Sequence, residues 1–173
     1  DEFKSLNLKV MCDHKKDYIG KPLNRILFGA PGTGKSHRLE EDSRLFGNNL
    51  ERVTFHPNYS YAQFVGTYKP IQGEKPSDIT YEYVPGPFMR VYVQALNHPK
   101  ENFLLLIEEI NRANVAAVFG DIFQLLDRKN GVSEYPVATT EDIKKHLIKT
   151  LRCLRRKDID GNECPKNLDE FSD

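Results

Sequence analysis

Eight residues constrain this chain more than any others: Gly29-Ala30-Pro31-Gly32-Thr33-Gly34-Lys35-Ser36. They match the pattern GxxxxGK[ST], placed between an apolar run that reads as a strand, Arg25 to Phe28, and a stretch that reads as a helix, Lys35 to Leu45. Glycines let the backbone curl until successive N–H groups point into one concavity, which suits an anion. The helix beginning near Lys35 adds the positive end of its dipole. The Lys35 ammonium can reach the β- and γ-phosphates of a nucleotide, and the Ser36 hydroxyl is a Mg²⁺ ligand. The bland alternative is a glycine-rich turn with a chance lysine, which would not require this strand–loop–helix setting. The candidate phosphate-binding set is therefore Gly29, Ala30, Pro31, Gly32, Thr33, Gly34, Lys35 and Ser36, with His37 next on the helix.

A second stretch carries chemistry, FLLLIEEIN at residues 103–111. An apolar strand, Phe103 to Ile107, ends in two carboxylates. Alone, an acidic pair after a strand often only marks solvent. Downstream of a phosphate loop, with a strand and helices between, it gains weight, because ligands sit at the carboxyl ends of parallel strands. Glu108 then supports the Mg²⁺ shell, and Glu109 orients and polarises the attacking water. Asp is the usual first residue of such a pair, and Glu108 is longer by one methylene.

The remaining pattern supplies the frame. Arg52 to Phe55 reads as a strand, residues 58–66 as a short helix, residues 69–79 as a surface loop and Tyr81 to Val84 as a short strand. Gly86 to Asn97 reads as a helix with Phe88, Val91, Tyr92, Ala95 and Leu96 inward. Pro87 suits its first turn. Phe103 to Ile107 is apolar throughout, as a strand covered on both faces should be. Val115 to Leu126 reads as one helix burying Val115, Val118, Phe119, Ile122, Phe123 and Leu126, and Lys129-Asn130-Gly131 as a turn. Thr139 with Asp142 resembles a capping box, opening a helix to about Leu154 with Ile143, Leu147, Leu151 and Leu154 inward. Strands alternating with helices predict an α/β domain with a mainly parallel sheet.

Composition removes several alternatives. The chain has 25 Lys+Arg and 25 Asp+Glu, without the basic excess of a dedicated nucleic-acid domain. Its ten Phe and eight Tyr are too many for a disordered chain. The longest apolar runs, Phe103 to Ile107 and Val115 to Phe119, are far shorter than the about 20 residues a membrane span needs. Three cysteines, Cys12, Cys153 and Cys164, show no CxxC spacing and fit a reducing, cytoplasmic setting. Residues 1–20 read as a lead-in, 21–157 as the core and 158–173 as a polar tail.

Four segments together resemble the McrB-like branch of the AAA+ NTPases, the motor subunits of modification-dependent restriction systems. They are NRILFGAPGTGKS (24–36), RVTFHPNYSYAQFVGTYKP (52–70), YEYVPGPFMR (81–90) and LLLIEEINRANVAAVFGDIFQLLDR (104–128). The last is far more specific than the phosphate loop. The resemblance implies an AAA+ large subdomain, ATP or GTP hydrolysis with Mg²⁺ at subunit interfaces, a hexameric ring and a nuclease partner of the McrC kind, with DNA engaged only indirectly. It assigns phosphate and Mg²⁺ binding to the loop and the Walker B pair to Glu108 and Glu109. Asn111 and Arg112 fall in its EINR signature, where they contact either a neighbouring subunit or the γ-phosphate surroundings. The plain alternative is a polar turn capping the next helix. His56, Tyr59 and Tyr61 fall in its FHPxYSY segment, where a strand end accounts for His56 better than a metal does. The cluster Arg152, Arg155, Arg156 and Lys157 suits either DNA phosphates or a helix C-terminus.

The resemblance also has an edge. Pro165-Lys166-Asn167-Leu168 looks like the approach to a further core strand bearing a sensor Asn, after which the chain reads DEFSD. That strand belongs between the phosphate-loop strand and the Walker B strand, so the expected sheet has a gap there and is incomplete at its C-terminal side. Two functions follow from different classes: an NTP-hydrolysing motor module, or a nucleotide-binding regulatory subunit without turnover. A small-molecule P-loop kinase fits the EINR block poorly.

Overall fold

The computed structural model describes residues 7–8, 24–72, 79–129, 132–133, 137–138 and 140–151. In chain order the elements are β1 (Asn7–Leu8), α1 (Lys35–Ser43), β2 (Leu50–Thr54), α2 (Tyr61–Phe64), β3 (Gly66–Gln72), β4 (Ile79–Pro85), α3 (Pro87–Asn97), β5 (Leu104–Glu108), α4 (Val115–Phe119), β6 (Arg128–Lys129), β7 (Val132–Ser133), β8 (Val137–Ala138) and α5 (Glu141–Thr150). Short 3-10 turns occupy Arg44–Phe46, Ile110–Arg112 and Gly120–Leu126.

The parallel pair expected from the apolar runs is present. β2 lies beside β5 in register from Leu50 opposite Leu104 to Thr54 opposite Glu108, and Phe55 N–H continues the ladder to Glu108 O at 2.9 Å. This register brings the acidic end of β5 level with the end of β2. The architecture is α/β, with the pair packed against α3 and the core on the helical side. Phe55, Phe64, Met89 and Val118 are fully buried there, and the Phe64 and Phe119 rings meet at 4.9 Å between centroids.

Several expectations change. Arg25 to Phe28 forms no strand: among the described residues nothing pairs with it, and Ile26 and Phe28 are 77% and 90% exposed. A strand is defined by a neighbour, and an apolar run without one stays extended but unladdered. β5 likewise is paired along one edge only among the described residues, and Leu106 alone of its residues is buried, so it is not covered on both faces.

The expected loop at 69–79 is instead largely hairpin. β3 and β4 pair antiparallel from Gly66 opposite Pro85 to Gln72 opposite Ile79. Pro70 is tolerated because an isolated hairpin has only edge strands. The helix expected over Val115–Leu126 breaks at Gly120, whose φ of 50° lies in the region that favours glycine. The 3-10 turn beyond it has three residues per turn, which puts Ile122 and Leu125 inward together. Phe123 and Leu126 consequently face out.

Helix α3 buries Met89 and Val93 beside Tyr92, a wider face than the expected stripe. The cap of α5 is Thr140, whose hydroxyl accepts from Ile143 N–H at 3.4 Å, and the helix ends at Thr150. Ile143, Leu147 and Leu151 point inward as expected. Part of the lead-in is also structured, with β1 antiparallel to β8. Leu154, Thr139, the three cysteines, the Arg152–Lys157 cluster and the Pro165–Leu168 step lie outside the described residues, as do Asn130 and Gly131 of the expected turn.

Candidate functional site

The loop Gly29–Ser36 folds around its own lysine. Gly32 and Gly34 adopt φ of 77° and 78°, which side chains other than hydrogen resist, and Gly34 is the N-cap of α1. Lys35 Nζ turns back and donates to Gly29 O at 2.7 Å, Ala30 O at 2.6 Å and Thr33 Oγ1 at 3.4 Å. Thr33 Oγ1 donates to Ala30 O at 2.8 Å. The ammonium thus closes the loop from its first carbonyl to its helix. Beside it lies a cavity of about 300 Å³ lined by Leu27, Phe28, Gly29, Thr33, Gly34, Lys35 and Arg38. Ser36 is exposed on the first turn of α1, and His37 faces Glu41 at 3.5 Å.

The acidic pair sits at the carboxyl end of β5. Glu108 is half-buried, and Thr54 Oγ1 donates to its Oε2 at 3.5 Å from the paired position on β2. Glu109 is exposed and takes φ 55° and ψ 36°, the left-handed region; among the described residues no other non-glycine has positive φ. Its carbonyl accepts from Arg112 N–H, which winds Ile110–Arg112 into a 3-10 turn. Asn111 and Arg112 are exposed on that turn. They do not cap the next helix: Asn114 does, its Oδ1 accepting from Ala117 N–H at 3.2 Å.

The two halves are linked rather than merged. Neither Glu108, Glu109, Asn111 nor Arg112 lines the loop cavity. Arg52 of β2 joins them, donating to Glu40 of α1 at 2.7 Å. That bond holds the Glu40 carboxyl below its ordinary range. It also raises the Arg52 guanidinium, with the charge of Glu108 adding to the effect. A second tie, Arg25 to Asp42 at 2.5 Å, fastens the segment before the loop to α1. His56 follows β2 at the same end, exposed, its ring edge-on to Tyr59 at 5.3 Å. Tyr59 stacks on Phe55 at 4.6 Å, and burial raises the Tyr59 and Tyr61 hydroxyls.

Arg52, Thr54 and Arg38 were not singled out by motif. Alternation along β2 was the available signal for the first two, since Arg52 and Thr54 share a face with the end of β5. For Arg38 it was helical spacing, three residues beyond Lys35.

Residues 24–150, the span holding both halves of the site, match the AAA domain (dynein-related subfamily). The chain belongs to the AAA family. It is a McrB-like AAA+ protein. It is 49% identical over 153 residues to the Type II restriction enzyme BsuMI component YdiS of Bacillus subtilis (strain 168), covering 74% of this chain and 45% of that protein. It is 31% identical over 122 residues to the Type IV methyl-directed restriction enzyme EcoKMcrB subunit of Escherichia coli (strain K12), covering 68% of this chain and 25% of that protein. The chain thus spans less than half the length of these curated relatives. Among the described residues no helix is long and apolar enough to cross a membrane.

Proposed function

We propose that this chain binds ATP or GTP with Mg²⁺ at Gly29–Ser36 and hydrolyses it as the motor module of a cytoplasmic McrB-like restriction system. The observation that carries the reading is the loop itself, whose lysine is held over the concavity by the Gly29 and Ala30 carbonyls. From there the ammonium faces β- and γ-phosphates. Backbone N–H groups of Gly32 to Lys35 complete the anion nest, and His37 follows them. Ser36 and Glu108 would be the protein ligands of a Mg²⁺ ion once loop and strand end close on the nucleotide, an ion that takes few protein ligands and keeps phosphate oxygens and water. When bound, that ion supplies charge neutralisation on the triphosphate. Glu109, exposed at the strand end, polarises the attacking water, and Asn111 and Arg112 present polar groups beside it.

Because the acids stand outside the loop cavity, the reading includes assembly. The chain alone binds nucleotide, turnover requires a ring of subunits, and a nuclease partner of the McrC kind works beside that ring. The same observation favours the second reading, a regulatory subunit that binds nucleotide without turnover. Titration with ATP and with GTP tests the first step: Lys35→Ala should weaken both tenfold or more, as loss of a charge-assisted contact worth about 1.5–3 kcal/mol requires. Unchanged binding by Lys35→Ala sinks the site. Glu109→Gln, assayed with a full-length relative, should retain nucleotide and lose turnover. Parent and Glu109→Gln turning over equally would favour the regulatory reading.

A further inference from the structure

The loop cavity has a second cation on its wall, and α1 leaves it unneutralised. The helix carries three carboxylates in succession, and each faces a partner. Glu40 accepts from Arg52, Glu41 lies 3.5 Å from His37, and Asp42 accepts from Arg25. Arg38, on the same helix, has no carboxylate within ion-pair distance among the described residues. Its backbone N–H donates to Gly34 O at 3.0 Å, which sets it one turn above the loop. Side chains on a helix tilt toward its N-terminus, here toward the loop. Arg38 is exposed and lines the cavity together with Gly29, Gly34 and Lys35.

The charges in the cavity are unequal to a triphosphate. The Lys35 ammonium is already shared among three loop oxygens. Mg²⁺ would offset part of the triphosphate charge, and because the chain as a whole is neutral the remainder falls to side chains at the cavity. We infer that Arg38 is a second phosphate-binding cation of this site, pairing its guanidinium with the phosphate chain of the nucleotide that the loop holds. Planar guanidinium and phosphate match in two parallel hydrogen bonds, which a lysine at this position would not reproduce. The inference rests on the nucleotide-binding reading above.

The test uses the 173-residue chain with ATP, GTP and inorganic tripolyphosphate as separate probes. Arg38→Ala should raise the Kd for all three about tenfold or more, with an unchanged melting curve. Arg38→Lys should recover part of the loss, and Arg38→Gln, which keeps the stem and removes the charge, should behave like Arg38→Ala. Equal Kd values for parent and Arg38→Ala overturn the inference. So does weakened ATP and GTP binding with tripolyphosphate unaffected, which would assign Arg38 to the base or ribose. Lys35→Ala, run alongside, separates the two levels. If Lys35→Ala binds all probes like the parent, the phosphate-loop reading itself fails. If Lys35→Ala weakens them and Arg38→Ala does not, the role of Arg38 alone is lost.

Discussion

Glu109 should be a residue that the fold would be better without. Its left-handed backbone, φ 55° and ψ 36°, costs a residue with a Cβ about 1–2 kcal/mol. Its side chain is exposed and has no partner among the described residues, so truncation forfeits no contact. The bond from Arg112 N–H goes to the Glu109 carbonyl, which any residue supplies. Glycine removes the strain but frees the unfolded chain, an opposing effect of about 0.4–1 kcal/mol. Glu109→Gly should therefore stabilise the chain by about 0.5–1 kcal/mol, or about 1–4 °C in Tm for a domain of this size. Glu109→Ala keeps the strain and loses the carboxylate, so it separates backbone from side chain. Thermal melts of parent, Glu109→Ala and Glu109→Gly give the comparison, and turnover in assembled form gives the cost. Glycine no more stable than alanine at this position would show that the turn is unstrained and refute the argument. Turnover lost in Glu109→Gly and Glu109→Ala alike, with only the glycine variant stabilised, would assign the functional cost to the carboxylate and the stability cost to the backbone.

Two further outcomes follow from packing and charge. Gly86 caps α3 with its α-carbon against the Phe64 carbonyl, and an added Cβ would collide with that backbone. Gly86→Ala should cost about 1–3 kcal/mol in denaturant melts, and an unchanged midpoint would show that α2 and α3 separate easily. His146 of α5 packs half-buried on Tyr83 of β4 at 4.8 Å, and burial, then Lys149, lowers its pKa below 6.5. The unfolded chain then binds the proton more readily, so stability is full above about pH 6.5 and falls as pH drops through the folded value. His146→Gln should flatten the decline in Tm between pH 7.5 and 5.5, and an identical decline in both proteins would remove His146 as its source.

What the sequence made legible was local. The loop Gly29–Ser36 is a conformation written in its own residues: glycines where φ turns positive, a lysine that closes the ring, a helix start behind it. The caps are equally local, and the misplacement of one by a single residue, Thr139 for Thr140, shows how far such signals reach. The Ser60–Gln63 capping box explains why α2 begins where it does within the short helix expected there. Strands are different, because their pairing is decided by residues far away. Arg25 to Phe28 and Phe103 to Ile107 have the same apolar character, yet only the second finds a neighbour among the described residues. The β3–β4 hairpin was hidden behind Pro70 and the polar sequence between Gln72 and Ile79, both of which count against a strand only when the strand is central.

The same distinction governs the site. The proposed phosphate half lies within one loop and one helix, so its chemistry could be proposed from eight letters. The acidic half depends on which strand lies beside β5 and on the turn that follows it. Glu109 acquires its direction from a backbone strain that no propensity announces, and Glu108 acquires its nearest polar contact, Thr54, only through the register of β2. Arg52 then ties that strand end to α1 through Glu40 by an exposed ion pair, and Asn24 Nδ2, just before the loop, donates to Leu126 O at 3.2 Å. Exposed pairs of this kind contribute little rigidity. On the proposed reading, ties so lightly held let the loop and the acids stand apart in this chain and close on one nucleotide in an assembly. That is why the proposed turnover is placed in the ring and nucleotide binding in the chain alone.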